Sequence, residues 1–202
     1  MINTIIFDFG DIFINLDKKA TVNALKKLGL SEWNEDINQL NLEFETGKIS
    51  RKNFLLGIQK QVPNASIDEI LDAWNAILLD FPLYRLEFLQ KISKKYRLFL
   101  LSNTDSIHID KFEQESGISF YRDFYQCFEK VYFSFEIGMR KPDTKIFNSL
   151  LKTHELFAKR TLFVDDKKEN TDAAHSIGMN VWNLQVGKED VIDLFSIKDF
   201  EL

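Results

Sequence analysis

The sequence predicts an α/β protein built on a mostly parallel sheet. Apolar runs of strand length recur along the chain, and segments between them carry apolar residues at helical spacing. Strands that alternate with helices are typical of a parallel sheet covered on both faces. Three of the runs end abruptly in polar residues: 5–7 before Asp8, 98–101 before Ser102 and Asn103, and 161–164 before Asp165 and Asp166.

The first of these runs, residues 5–7, is the strand around which the chain is organised. Three apolar residues lead straight into Asp8, and Gly10 follows two positions later, as expected of a buried strand that turns into a loop. Asp8 should therefore lie at the carboxyl end of this strand. In an open α/β sheet, ligands bind in the crevice outside the carboxyl ends of the strands.

A helical block, residues 17–84, follows the first strand. Its apolar residues have helical spacing, and no segment in it shows the alternation of a strand. Ser50 is expected to cap one helix, and Ser66 with Glu69 forms a capping box ahead of another. We therefore expect an α/β core of residues 1–16 and 85–202, with residues 17–84 inserted as a helical cap subdomain.

The second half of the chain resumes the α/β pattern. Further strands are expected at residues 131–133, 161–164 and 181–184. Pro142 is expected at the first position of a helix that starts immediately after Lys141. The whole pattern indicates a Rossmann-like, doubly wound parallel sheet with an inserted helical cap subdomain.

The composition narrows the possible functions. Of the 202 residues, 45% are hydrophobic and 28% are charged, which is ordinary for a globular protein. The formal net charge of -5 argues against a broad surface for nucleic acid or for anionic membrane. Cys127 is the single cysteine, so a disulfide framework and a cysteine-rich metal site are excluded. The early first strand and the lack of an apolar run of roughly 20 residues lead us to expect a cytoplasmic protein.

The carboxyl ends of parallel strands share one edge of the sheet, so Asp8, Asp165 and Asp166 should converge there. Two carboxylates about 4 Å apart repel each other by roughly 4 kcal/mol at an effective dielectric of 20, so this group needs a cation. Oxygen ligands without a nearby His or Cys favour a hard metal. The expected ion is Mg²⁺.

Taken singly, these residues also have structural alternatives. Asp8 could begin a turn, and the acidic pair could cap a helix. Ser102 and Asn103 could be turn residues, and Lys141 could be a solvated cation. The functional interpretation is favoured because all of them occur in order, each where the end of a strand or helix would place it.

With these motifs the chain resembles the haloacid dehalogenase-like hydrolases. Asp8 is similar to the nucleophile of their first motif, and Ser102 and Lys141 are similar to the key residues of their second and third. Asp165 and Asp166 are similar to the acidic pair of the fourth. The helical block takes the place of a type 1 cap, and the subgroup resembles bacterial α-glucose-1-phosphate phosphatase and epoxide hydrolase N-terminal-like phosphatases.

The resemblance implies a Mg²⁺-dependent phosphatase of a small phosphorylated substrate, with a sugar phosphate as one candidate. Asp8 would attack a phosphomonoester and form an aspartyl-phosphate, which water then hydrolyses. The metal ligands would be Asp8, the backbone carbonyl of Gly10 and Asp166. Asp165 would act through a bound water, and Asn170 would support the metal shell.

The same resemblance implies how the substrate is held. Ser102, Asn103 and nearby backbone N–H groups would bind phosphoryl oxygens. Lys141 would pair with both Asp8 and the phosphate. No nucleic acid and no membrane is expected as a partner, and both a monomer and a homodimer remain open.

Gly10 departs from the pattern of the family. Its phosphatases usually carry a second aspartate there, which protonates the leaving alcohol and later activates water, a contribution of about 10²–10⁴-fold. An anomeric phosphate has a comparatively good leaving group, so a sugar 1-phosphate would tolerate the loss. Asp11 could substitute as the acid, although the alternation of side chains could point it elsewhere.

Two other functions remain open. The 2-haloacid dehalogenases also lack the second aspartate, but they dispense with the metal, so Asp165 and Asp166 favour a phosphatase. The other alternative is a weakly active protein that binds a phosphorylated ligand and regulates a partner. The main argument for this second alternative is Gly10, where the usual second aspartate is missing.

The helical cap is expected to select the substrate, because such lids exclude water and contact the leaving group. Four residues are candidates for those contacts, although they also fit a helical core: Trp33, Phe44, Trp74 and Arg51. Cys127 is expected to be a packing residue. The three histidines match no ligand spacing and are assigned no role: His108, His154 and His175.

Overall fold

The computed structural model describes residues 1–196, and its centre is a parallel sheet of five strands. The strands are β1 (Thr4–Phe7), β2 (Arg97–Ser102), β3 (Lys130–Phe133), β4 (Thr161–Asp165) and β5 (Asn180–Asn183). Their order across the sheet is β3-β2-β1-β4-β5, and every pairing is parallel. The expected α/β class with a doubly wound parallel sheet is confirmed.

Helices connect the strands. They are α1 (Ala20–Lys27), α2 (Glu35–Glu45), α3 (Arg51–Gln61), α4 (Ile67–Asn75), α5 (Leu83–Ile92), α6 (Ser106–Ser116), α7 (Ile118–Tyr125), α8 (Ser134–Ile137), α9 (Thr144–Thr153) and α10 (Lys168–Ser176). Within residues 1–196, no helix combines the length and the apolar character that crossing a membrane would require.

Strand β1 lies at the centre of the sheet and aligns its neighbours. Phe7 lies opposite Leu100 of β2 and Val164 of β4, so these three strands end almost level with each other. Both faces of β1 are covered: Ile5 and Phe7 pack into one apolar cluster and Ile6 into another. This two-sided burial explains why the strands have continuous apolar runs rather than alternation.

Helices α1 to α4 form the expected helical block and pack around an apolar cluster of their own. Ser50 caps α3 by accepting from the backbone N–H of Asn53, and the capping box of Ser66 and Glu69 is present at α4. Ile107 of α6 joins the same cluster, so the block rests on the α/β core. The domain boundaries at residues 17 and 84 stay a prediction.

The helix expected directly after Lys141 begins later. Helix α9 starts at Thr144, and Asp143 caps it by accepting from the backbone N–H of Lys145 at 2.9 Å. The peptide bond between Lys141 and Pro142 is cis. Lys141 and Pro142 lie in the turn before this helix, and Asp143 takes the capping position.

Candidate active site

A cavity of about 190 Å³ opens at the edge of the sheet where β1, β2 and β4 end. It is lined from the core by residues that the motifs predicted: Asp8, Gly10, Ser102, Asn103, Lys141, Asp166 and Asn170. Asp165 lies directly beneath them and is fully buried. The level ends of the three strands thus bring together residues that are more than 150 positions apart in the chain.

Asp8 follows β1 and is nearly buried. Its backbone N–H donates to the carbonyl of Val164 at 2.9 Å, which extends the pairing of β1 with β4 by one residue. Its Oδ1 accepts from the N–H of Phe9 at 2.7 Å and lies 2.9 Å from Lys141 Nζ. In residues 1–196 both contacts fall on Oδ1, so Oδ2 is left without a protein hydrogen bond.

Lys141 lies between two carboxylates and is fully buried. Its Nζ is 2.9 Å from Asp8 Oδ1 and 2.6 Å from Asp165 Oδ2. Burial lowers the pKa of Lys141, but the two carboxylates outweigh it and raise this pKa above its ordinary value. Burial raises the pKa of Asp8, and the Asp165 charge adds to that effect, against the opposing pull of Lys141. The two carboxylates thus favour the charged form of Lys141.

Asn103 fixes the backbone of Lys141. Its Oδ1 accepts from the Lys141 N–H at 2.9 Å, and its Nδ2 donates to the Lys141 carbonyl at 2.8 Å. The side-chain amide expected to bind substrate is therefore engaged with the chain itself. Ser102, the last residue of β2, lines the cavity beside it.

Asp8, Asp165 and Asp166 each offer a carboxylate oxygen, and these oxygens lie within 4.8 Å of one another. A set of carboxylates without nitrogen or sulfur ligands fits a hard divalent cation. Asp165 is already engaged: Lys141 Nζ, the Lys167 N–H at 2.8 Å and the Asn170 amide all donate to it. In residues 1–196 both oxygens of Asp165 accept such bonds, whereas Asp8 Oδ2 and Asp166 Oδ1 accept none, so Asp8 and Asp166 are the better placed for direct contact with a cation.

Residues 5–184 match the model of the haloacid dehalogenase-like hydrolase family. The chain belongs to this family. It is 27% identical to the D-ribitol-5-phosphate phosphatase of Bacteroides thetaiotaomicron over 199 residues, which cover 94% of this chain and 95% of that protein. The family resemblance drawn from the four motifs is confirmed.

Solved structures of haloacid dehalogenase-like proteins have the same architecture. A family enzyme of Bacteroides thetaiotaomicron, in complex with magnesium and inorganic phosphate, is 31% identical with a TM-score of 0.84 and covers 94% of this chain and 97% of its own. A hydrolase of this family from Porphyromonas gingivalis is 25% identical with a TM-score of 0.82, covering 97% of both chains.

A second acid at position 10, as in other haloacid dehalogenase-like phosphatases, would require the end of the Leu16 side chain to shift. A Cβ atom on Gly10 would lie 2.7 Å from Leu16 Cδ1. Asp11 does not take over the position, because its Oδ1 accepts from the N–H of Leu16 at 3.1 Å and it lines a different cavity, beside Arg85. Asp11 thus does not line the cavity that Asp8 lines, although its Oδ2 lies 2.8 Å from Lys18 Nζ, which does.

Lys18 was missed by the sequence analysis. Its Nζ lies 2.6 Å from Asp166 Oδ2 and 2.8 Å from Asp11 Oδ2, and it lines the Asp8 cavity. Hydrogen bonds to the two carboxylates raise the pKa of Lys18 despite its partial burial. A lysine in the loop between β1 and α1 carries no motif, so no sequence signal could have placed it here.

The four candidate residues of the helical block belong to its core or its surface, and other residues of the block reach the cavity. Trp74 and Phe44 are buried in its own core, Trp33 stacks on Trp74 with ring centroids 6.3 Å apart, and Arg51 pairs with Asp110. None of the four lines the cavity. The block instead contributes Lys18, Glu45, Ile77 and Leu78. Glu45 Oε2 lies 3.1 Å from Arg140 Nη2, across the boundary between block and core.

The single cysteine and the three histidines lie in different surroundings. Burial raises the pKa of the Cys127 thiol to about 11, which agrees with a packing role rather than a nucleophile. His154 hydrogen-bonds Tyr132 at 2.7 Å away from the cavity, and His175 is exposed on α10. His108, in contrast, lines the Asp8 cavity.

Proposed function

We propose that this hydrolase removes phosphate from a small sugar phosphate or polyol phosphate, with Asp8 as nucleophile and Mg²⁺ as cofactor. The observation that carries the proposal is the buried contact of Asp8 with Lys141, 2.9 Å apart, in a cavity shared with Asp166. A nucleophilic carboxylate, a fixed cation and a second carboxylate at one point are what phosphoryl transfer through an aspartyl-phosphate needs.

In this proposal Asp8 Oδ2 attacks phosphorus, and the bond from phosphorus to the alcohol oxygen breaks. The alkoxide leaves and takes its proton from solvent water, since position 10 carries no acid; water then attacks the aspartyl-phosphate, returns a proton to the solvent, releases inorganic phosphate and restores Asp8. Lys141 balances negative charge on Asp8 Oδ1 and on the phosphoryl group. The Ser102 hydroxyl binds a phosphoryl oxygen, while Asn103 supports Lys141 through the two backbone hydrogen bonds.

The proposed metal ligands are Asp8, the Gly10 carbonyl and Asp166, with Asp165 reaching the ion through a water. Bound Mg²⁺ would neutralise charge and orient the phosphoryl group. The oxygens within 4.8 Å support this site, and so does the magnesium in the related enzyme of Bacteroides thetaiotaomicron. The engagement of Asp165 by Lys141, Lys167 and Asn170 supports its indirect role.

The substrate class rests on the relative and on the size of the cavity. The relative is named for D-ribitol 5-phosphate, the ester of a primary alcohol, and the cavity of about 190 Å³ suits a substrate of that scale. A primary alkoxide is a poorer leaving group than an anomeric one, so the Gly10 argument favours sugar 1-phosphates while the relative favours polyol phosphates. Both belong in the first panel of substrates.

The carboxylate cluster also bears on the alternatives. A metal-independent 2-haloacid dehalogenase has no use for three carboxylates within 4.8 Å, so the cluster favours the phosphatase.

Cytoplasmic location and the choice between monomer and homodimer stay predictions.

The test is phosphate release from a panel of pentitol 5-phosphates, aldose phosphates and sugar 1-phosphates, with Mg²⁺ and after chelation. We expect turnover of at least one sugar or polyol ester, abolished by the chelator and restored by Mg²⁺. If folded, Mg²⁺-binding protein released no phosphate from any of them, the catalytic proposal would fail in favour of a phosphorylated-ligand-binding role.

A further inference from the structure

His108 lies on the wall of the Asp8 cavity but has no part in the chemistry proposed above. It is in the first turn of α6, and its side chain is only 17% exposed. A histidine that is this buried must have its ring nitrogens satisfied by partners, which identify its protonation state.

Both ring nitrogens of His108 face oxygens that can only accept. Nδ1 is 3.0 Å from Asp105 Oδ2, and Nε2 is 3.1 Å from the backbone carbonyl of Trp74. A neutral imidazole has one N–H, so it would set a lone pair against one of these two oxygens. Only the imidazolium donates to both.

Asp105 is held as the matching anion. It is buried, its Oδ1 accepts from the N–H groups of Ile107 and His108, and its Oδ2 also accepts from the Trp74 indole at 3.0 Å. Burial raises the pKa of Asp105, but His108 and these hydrogen bonds outweigh it and lower this pKa. Burial lowers the pKa of His108, and Asp105, the Trp74 carbonyl and the Glu45 charge outweigh it and raise this pKa.

The same contacts join the helical block to the core. Trp74 belongs to α4 of the block, and its ring stacks on the His108 ring with centroids 5.6 Å apart and planes 2° apart. Asp105 caps the core helix α6, and His108 lies in its first turn. The block is therefore attached to the cavity wall by two hydrogen bonds and a stacked pair of rings: the Trp74 indole donates to Asp105, and the Trp74 carbonyl accepts from His108.

We propose that His108 is a positioning residue held as an imidazolium at neutral pH, which ties the helical block to the core and keeps a positive charge on the cavity wall for phosphate binding. It is not the missing acid, because both of its N–H groups are already donated to the protein. The part that concerns phosphate rests on the proposed function. The protonation state does not.

The protonation state is tested by ¹⁵N NMR of the histidine-labelled protein from pH 6 to 9. The chain has three histidines, so His154→Gln and His175→Gln assign the signals. We expect both His108 ring nitrogens to remain of the N–H type at pH 8, whereas His154, whose pKa is lowered, has lost one proton. A neutral His108 at pH 7, or titration near the ordinary value of about 6.5, would overturn the proposal.

The role in binding is tested with His108→Gln against the exposed control His175→Gln. We expect the KM for substrate and the inhibition constant of inorganic phosphate to rise about tenfold in His108→Gln, with kcat changed less than about threefold. The wild-type KM should rise in the same direction once the pH exceeds the raised pKa of His108, since the charge is present below it and lost above it.

Two outcomes separate this proposal from the proposed function. Normal KM and phosphate inhibition in a folded His108→Gln would overturn the binding role even if the wild type is an active phosphatase. Trp74→Phe removes the indole donor but keeps the backbone carbonyl, so it should preserve the NMR signature of the imidazolium. Loss of that signature in Trp74→Phe would also contradict the proposal. The NMR test uses His108 itself, so it remains decisive even if His108→Gln fails to fold.

Discussion

The floor and the wall of the Asp8 cavity are built by different means. The floor is formed by residues at the ends of strands and the turn before α9: Asp8, Ser102, Lys141, Asp165 and Asp166. The wall is formed mainly by the helical block and α6: Lys18, Glu45, Ile77, Leu78 and His108. Each floor residue occupies a motif that is visible in the sequence, whereas no wall residue does.

The difference teaches which parts of a site local sequence can determine. An apolar run that ends in a carboxylate places that carboxylate at the edge of a parallel sheet, whatever else the chain does. Glu45 reaches the cavity only because α2 ends beside Arg140 of the core. The chemistry should therefore depend on the floor, and the choice of substrate should depend on the wall.

The largest expected effect is the loss of activity when the floor residue Asp8 is replaced in Asp8→Asn. The amide cannot act as the nucleophile, so we expect kcat to fall by at least about 10⁴-fold on every substrate. The measurement is phosphate release at saturating substrate, with circular dichroism to show that the fold is kept. The matched control is Asp172→Asn on the exposed face of α10, which should retain full activity.

Lys141→Met tests the buried cation of the floor. Two buried carboxylates would lose their shared partner, so we expect a loss of about 3–5 kcal/mol in the free energy of unfolding and of at least about 10²-fold in kcat. Urea unfolding in the absence of metal measures the free energy of unfolding. Lys168→Met, which breaks an exposed pair with Asp172, should cost less than about 0.5 kcal/mol, and equal losses in the two variants would contradict this account.

Glu45→Gln tests the wall. If the wall contacts the alcohol part of the substrate, kcat/KM for a polyol phosphate should fall about tenfold, because a charge-assisted hydrogen bond is lost. The kcat/KM for p-nitrophenyl phosphate, which has no sugar hydroxyls, should stay within about twofold of the wild-type value. Glu43→Gln, on the same helix but outside the cavity, is the control. An equal loss of kcat/KM on both substrates would show that Glu45 acts on the chemistry, as the floor residues do, and not on the choice of substrate.

The smallest expected effect is on the pH dependence of metal binding. Burial raises the pKa of Asp8 in the metal-free protein, so a cation that binds its carboxylate must displace a proton over part of the pH range. Apparent Mg²⁺ affinity, measured by calorimetry, should therefore rise from pH 6 to pH 8. This rise should be absent in Asp8→Asn, and a flat profile in the wild type would argue against Asp8 as a ligand.

The sequence was sufficient for the strands, the block of helices and the floor, because each depends on burial and on strand ends. It failed at Pro142, where Asp143 caps the helix in place of the expected start. It also failed to exclude Asp11, because the direction of that side chain depends on hydrogen bonds to the turn at Leu16. Trp74 was a candidate for the cavity or for the core of the helical block, and the structure buries it in that core.

The central claim, that phosphate passes through Asp8, is tested most directly by trapping the intermediate. A single turnover with Mg²⁺ would be quenched in acid, reduced with borohydride and analysed by peptide mass spectrometry. An aspartyl-phosphate would be converted to homoserine, and we predict it at position 8 and not at Asp11, Asp165 or Asp166. Continued turnover with unmodified Asp8, or with the label on another residue, would contradict the account.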